Sequence, residues 1–438
     1  MKKRKRLHDT PSAVAEMLAR HSPQTMTRVL DPAVGEGALL QPIVKRLGQG
    51  TSVVCVDVDL TALDVARARL TSNDSEIHCV HGDFLRVTES KHLTRDNFDC
   101  VIMNPPYAAK KSEWTRMDCS AIGWHKKVSL PKEIAFVLRG IELLRAGGRL
   151  LAVVPTSIVS AVLFAEFRNR LGQIGRFHYV HELPKFTFPR VEGRIYLLVF
   201  EKGGCTSNIE LRNHDLHEPE CMRVGWSDLG VLRRLDFGFQ QSRRRFKSLV
   251  DGTPELNWHS IDELFSICRG PRESPRGARI AIHTTDFRNG FWNVAARHVK
   301  CAPLSQVESE DLLVARVGRH CLQSLGAILG HRAVSWSDCV FRLRPACKLN
   351  VTARLLSIRA ILRLPEIAYM LERGVGATYI TESDLGALKI PSLKGRRFDH
   401  SINAYSAAMA RKDCSRMLQI EKLTMKAILR LAARHSNK

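Results

Sequence analysis

Asp31-Pro32-Ala33-Val34-Gly35-Glu36-Gly37 is the stretch on which the fold turns. It closes a short apolar run, Arg28-Leu30, and its two glycines allow a tight turn in which backbone can approach a ligand before a helix begins. Gly-x-Gly after a strand is common punctuation. The acidic residue ahead of it adds more, because Asp31 can meet a cationic ligand group directly or through water. Outward from this turn, Ser52-Asp57, Ile77-His81, Phe98-Met103, Leu150-Val154, Phe177-Val180 and Ile195-Phe200 read as further strands. Amphipathic stretches such as Leu60-Leu70 and Glu133-Leu144 lie between them. This alternation predicts an α/β domain, a Rossmann-like sheet of seven mostly parallel strands covered on both faces.

The strand ends carry chemistry in series. The second strand ends Cys55-Val56-Asp57-Val58-Asp59, and a carboxylate there is placed to accept two vicinal hydroxyls of a ribose. The third runs into His81-Gly82-Asp83-Phe84, a carboxylate and a ring suited to the edge and face of an adenine. Each acidic tip alone could be a helix N-cap. Three on consecutive strands point to an adenosine-containing ligand at the carboxyl edge. The fourth strand runs straight into Asn104-Pro105-Pro106-Tyr107. Pro105 and Pro106 fix the backbone and leave carbonyls without local donors. Asn104 adds a side-chain acceptor and Tyr107 a flat ring. Two acceptors beside a stacking face suit a planar group bearing an NH2. Accepting both of its protons returns electron density to nitrogen as an electrophile arrives, and that stabilisation is greatest in the transition state.

Asp-Pro-Ala-x-Gly-x-Gly followed by Asn-Pro-Pro-Tyr resembles the gamma-type, S-adenosylmethionine-dependent DNA adenine-N6 methyltransferases of restriction–modification systems. Thr10-Pro11-Ser12 matches the Thr-Pro element that such enzymes carry before the glycine loop, and Phe188-Pro189 their aromatic-proline step before the last strand. The resemblance covers about residues 9–202. It implies that Thr10, Asp31, Ala33 and Gly35, with Gly37 completing the turn, surround the methionine part of S-adenosylmethionine. It implies further that Asp57 holds the ribose, Val58 and Phe84 flank the adenine, and Asp83 accepts from its amino group. Asn104 and the Pro105 carbonyl would bind the target amine, with Tyr107 and Phe188 sandwiching a flipped adenine; Phe186 competes with Phe188 for that place. Asp57 stands where such enzymes often have Glu.

The later chain resembles, more loosely, the target-recognition domains of type I specificity subunits. Ile282-Gly290, Asp311-Gly318 and Gly376-Leu385, with Ile390-Pro391, carry that likeness. It implies an α+β DNA target-recognition domain over 225–395, after a methyltransferase domain over 9–215 and before a C-terminal helical tail over 396–438 that reads as one long helix. The boundary is expected near 203–225. Arg316, Arg319, Arg332 and Arg342 are candidate phosphate or guanine contacts.

Charge agrees with a polyanionic partner. The 438 residues hold 67 Lys and Arg against 44 Asp and Glu, a formal net charge of +23. The first 200 residues carry +9 of it and the remainder +14. Double-stranded DNA is the expected partner; a separate cognate restriction endonuclease acting on the same site is a further candidate, whose existence the sequence does not decide. A membrane is not expected: the longest apolar stretch, Leu150-Ala165, is too short and polar. His8-Asp9-Thr10 after the opening Met-Lys-Lys-Arg-Lys-Arg gives no export signal, so a cytoplasmic protein is expected; it is taken as a monomer. Twelve scattered cysteines without a CxxC pair read as reduced thiols, and His78-Cys79-Val80-His81 as a strand, with no metal site.

Asn-Pro-Pro-Tyr also occurs in enzymes that methylate protein glutamine or RNA guanine. The former resemble this chain only with a helical domain ahead of the glycine loop, for which the thirty residues before Asp31 leave no room. An RNA base methyltransferase and a non-catalytic DNA-binding relative are the alternatives to a DNA enzyme. Glu89-Ser90-Lys91 matches the end of a nuclease motif, but it has no upstream partner and takes no catalytic role.

Overall fold

Continuous apolar runs are what a parallel sheet buried on both faces requires, and all seven expected strands form. They are β1 (Arg28–Asp31), β2 (Thr51–Asp57), β3 (Ser75–His81) and β4 (Phe98–Met103), then, after a hairpin of β5 (Thr115–Cys119) and β6 (Trp124–Leu130), β7 (Leu144–Pro155), β8 (Gly175–Glu182) and β9 (Ile195–Lys202). Two strands beyond expectation, β10 (Asn208–Arg212) and β11 (Cys221–Gly225), extend the sheet to nine in the order β11-β10-β8-β9-β7-β4-β1-β2-β3. Neighbours from β3 to β7 run parallel, whereas β9 is antiparallel to both β7 and β8. This computed structural model describes residues 10–70, 75–87, 92–108, 110–184, 186–188, 194–215, 219–271, 281–288, 291–292, 307, 310–318, 320–327, 335–346, 350–373 and 378–436.

Side chains of β4 alternate between two cores. Cys100 and Ile102 face one shared with α1 (Ser12–Ala19), α2 (Gln41–Val44) and α3 (Leu60–Leu70). Val101 and Met103 face the other, shared with α4 (Lys132–Leu143), α5 (Thr156–Ser160) and α6 (Ala165–Ile174). Strand order reverses between β1 and β4, and the crevice outside the carboxyl ends at such a switch point is where open α/β sheets bind ligands.

The chain divides by compactness at Gln240/Gln241, past the expected 203–225, because β10 and β11 still belong to the first sheet. From α6, the fully buried Arg168 also reaches the segment beyond β11, donating to the carbonyls of Leu232 and Arg233 (2.7 Å to the latter) as well as those of Ile158 (3.2 Å) and Ala161 (2.9 Å).

The second unit holds a four-stranded antiparallel sheet, ordered Phe265–Arg269, Val340–Pro345, Leu312–Ala315, Leu325–Ala327. The helix Val351–Ile361 packs with it, and two C-terminal helices close the same core, burying Phe398, Ile402, Tyr405, Met417 and Ile420. The expected single long helix is two, Arg396–Ala410 and Cys414–Ser436. Lys412 at φ +57 breaks the path, and Asp413 accepts the Arg416 N–H at 2.9 Å as the second helix starts. Leu423, in the second of these helices, is 55% exposed. Among the described residues no helix is long and apolar enough to cross a membrane.

Candidate active site

The end of β2 is a hub of backbone hydrogen bonds. Val34 N–H donates to the Val56 carbonyl at 3.1 Å and Gly82 N–H to the Asp57 carbonyl at 2.9 Å. The Asp57 carboxylate adds two more, Oδ2 accepting from Gly35 N–H at 2.8 Å and Oδ1 from Asp59 N–H at 2.9 Å. The glycine turn after β1 and the turn after β3 are thereby both latched to β2. Each Asp57 oxygen keeps a second lone pair for an outside donor.

Gly35 has φ +51, and a Cβ there would meet nothing within 4 Å, so the turn faces open space. Gly37, at φ +83, packs against α3, where a Cβ would come within 3.2 Å of Leu70. Beside them Asp31 is buried. Its Oδ1 accepts the Ala33 N–H at 3.0 Å, while Oδ2 has no partner among the described residues. Burial, with repulsion from Asp57 and despite the Ala33 hydrogen bond, pushes this carboxyl up to about 8.

At the carboxyl end of β4, Asn104 is held from both sides. Its Nδ2 donates to Thr10 Oγ1 at 3.0 Å, and its Oδ1 accepts from the Tyr107 hydroxyl at 3.2 Å. The buried hydroxyl of Thr10, expected beside the cofactor's methionine, thus also sets the orientation of the amide. Burial raises the Tyr107 phenol well above its usual range, keeping it a neutral donor. Pro105 is buried and Pro106 half-buried. Glu133 buttresses the turn. In the first turn of α4, where a carboxylate is favoured, it accepts Ala108 N–H at 3.0 Å and the Ser157 hydroxyl at 2.8 Å. The sequence holds no cue to this, since Glu after Pro-Lys reads as an ordinary helix start.

The remaining candidates divide. Phe188 is 3% exposed, in the core cluster against which Tyr107 also packs, whereas Phe186 is 72% exposed with φ +65. Asp83 accepts Leu85 N–H at 3.0 Å, and Val58 is exposed. Phe84 is 1% exposed, with the Phe136 ring centroid 5.1 Å away and the Arg139 guanidinium 5.1 Å over its own ring. In the second unit Arg316 Nε donates to the Asp338 carbonyl at 2.9 Å and Arg342 lies 4.7 Å over Trp336. Arg319, Arg332 and Glu89-Ser90-Lys91 lie outside the described residues, as do parts of Ile282-Gly290 and Gly376-Leu385.

Residues 8–122 match the methyltransferase small domain family. The fold is that of S-adenosylmethionine-dependent methyltransferases. A type II methyltransferase of Thermus thermophilus, M.TthHB8I, is 28% identical over 212 residues, which take in 45% of this chain and 45% of that protein. The chain therefore matches under half the length of this curated relative. The type IIG restriction endonuclease BpuSI superposes with TM-score 0.50 at 13% identity, covering 99% of this chain and 67% of its own. The M protein of the type I restriction enzyme EcoKI gives TM-score 0.37 at 18% identity, covering 49% of each chain.

S-adenosylmethionine is the cofactor of this methyltransferase fold, and the residues present fit it. Asp31 Oδ2 is an unsatisfied buried acceptor for a cationic group, and the space over Gly35 is one a side chain would fill. A cation paired with Asp31 favours its carboxylate, so binding releases a proton below about pH 8. Cofactor affinity is expected to rise about tenfold per pH unit toward that value and then level off. Without ligand the sign is the opposite: a carboxyl raised from 3.8 to about 8 makes the folded protein lose stability as pH rises through that interval. Calorimetric titration from about pH 6 to about pH 9 reads the affinity. A flat profile in the wild type, or the same slope in Asp31→Asn, would count against this role.

Proposed function

We propose that the first unit transfers a methyl group from S-adenosylmethionine to the N6 amine of an adenine swung out of duplex DNA, as the methylase of a restriction–modification system, and that the second unit reads the DNA sequence. One observation carries the reading: the Asn104 amide, clamped by Thr10 and Tyr107 at the end of β4, directly across the strand-order reversal from the glycine turn of β1.

S-adenosylmethionine supplies a methyl group on a sulfonium, an electrophile that needs no further activation. An adenine amine is a poor nucleophile, because its lone pair is delocalised into the ring. Asn104 Oδ1 and the Pro105 carbonyl would accept hydrogen bonds from its two N–H groups, and their hold strengthens as the N–CH3 bond forms, the S–CH3 bond breaks and the nitrogen becomes cationic; one of the two protons then leaves to solvent. Tyr107 offers a face for the base, with Phe188 behind it. Asp57 accepts the ribose hydroxyls through its remaining lone pairs, with Asp83 and Val58 at the adenine. Extruding the base costs a few kcal/mol of stacking and pairing, which aromatic contacts offset. The Thermus relative is named a type II methyltransferase, which supports a restriction–modification setting.

Incubation with methyl-labelled cofactor and duplex DNA, followed by nucleoside separation, should place the label in N6-methyladenine. Label in cytosine, in RNA alone or in protein alone would overturn the reading.

A further inference from the structure

Between Ala108 and α4 the chain inserts a hairpin that the sheet does not need. Its inner side is fixed: Cys119, Ile122 and Leu130 are buried in the first unit's core, with Met117, Val128, Trp114 and Trp124 packed against it. Its outer side is basic. Arg116 stands opposite Ser129 and Asp118 opposite Lys127 on one face, all four exposed, with Lys126 exposed at the edge of the other face beside Trp124, and Lys110-Lys111 leading in. Five cations thus face two carboxylates, Glu113 and Asp118, between residues 110 and 127.

Two observations set this apart from an ordinary solvated face. Elsewhere in the unit Arg145, Arg149, Arg170 and Lys202 each pair with a carboxylate, but none of the five forms an ion pair with a described residue. Two of them are instead ordered over rings, Lys126 at 4.4 Å from the Trp124 centroid and Lys111 at 5.7 Å from that of Trp114. A cation held over an indole keeps its charge and its outward N–H donors while losing much of its motion. Lys110 follows Tyr107 by only three residues, so the run begins within about 10 Å of chain from the proposed base pocket.

We infer that the β5–β6 hairpin, with Lys110 and Lys111, is a phosphate-binding arm that grips the DNA backbone beside the extruded base. This rests on the DNA reading above and adds to it the element that holds the strand while the base is out. Its role is positional: backbone contacts fix register and contribute no sequence information.

The test compares wild type with Arg116→Ala/Lys126→Ala/Lys127→Ala in the full chain, measuring duplex binding across a salt series, methyl transfer and cofactor affinity. Three lost phosphate contacts should flatten the slope of log K against log salt by about 2.7, so that the variant loses about fortyfold less affinity than wild type between about 50 and 200 mM salt. Cofactor affinity should be unchanged, and Arg116→Lys/Lys126→Arg/Lys127→Arg should restore the slope. If wild type methylates DNA and the triple alanine variant keeps the wild-type slope, the arm is wrong and the methyltransferase reading stands. If wild type binds duplex RNA but not duplex DNA, or shows no salt-dependent duplex binding, both fail.

Discussion

Asn104→Ala is expected to lower the turnover of methyl transfer by about 10²–10³-fold or more while leaving cofactor affinity within a small factor of wild type. The magnitude follows from what one preorganised partner of a developing charge is worth. The substitution removes the Oδ1 acceptor that would strengthen as the amine turns cationic, and it leaves Thr10 Oγ1 and the Tyr107 hydroxyl without their shared partner. An interaction made mainly in the transition state should depress kcat and kcat/KM together. Steady-state kinetics on a duplex, with calorimetry for the cofactor, separates this from loss of the fold. Near-normal turnover would remove Asn104 from the chemistry.

Asp57→Ala should act on the other half of the site. It deletes the acceptors of Gly35 N–H and Asp59 N–H, two hydrogen bonds to a buried carboxylate. Each such bond contributes about 1.5–3 kcal/mol, so a stability loss of about 3 kcal/mol is expected. Cofactor affinity should fall by about two orders of magnitude, because the glycine turn is released from β2 as the ribose loses its acceptor. Asp57→Asn should fall between, since the amide keeps one acceptor and turns its NH2 toward the other N–H. Denaturant unfolding and calorimetry read the two effects separately. Cofactor binding unaffected by Asp57→Ala would rule out the ribose role.

The central strands were legible because burial on both faces demands runs such as Phe98-Met103 and Ile195-Phe200, which loops do not contain. Apart from β3, which was expected, strands half open to solvent were not. β10 buries only Ile209 and Leu211, and in β5 the alternation of Thr115, Met117 and Cys119 with Arg116 and Asp118 is the one signal, masked by the surrounding lysines. The break between the C-terminal helices lacks glycine and proline, leaving Lys412-Asp413 as the sole cue, an N-cap easily taken for helix surface. At the site, residue identity located Asp31, Asp57 and Asn104, but their partners come from distant segments. No spacing rule foretells that Thr10 meets Asn104 or that Glu133 meets Ala108. Phe84 and Phe188 share the same limit: an aromatic in a motif does not disclose whether its face is open, and both are buried.

The cage around Arg168 bears on inheritance. Its guanidinium donates to the carbonyls of Ile158 and Ala161 on one side and of Leu232 and Arg233 on the other, so the stretch after β11 completes the first unit. A crossover that brought in, from Gly203 or Gly225 onward, a segment with a different backbone path would leave a desolvated cation short of acceptors, a costly state for a buried charge. One placed downstream of Asp236 keeps the cage whole. Exchange of second halves between related chains is thereby expected to leave the first unit intact only at junctions beyond that residue.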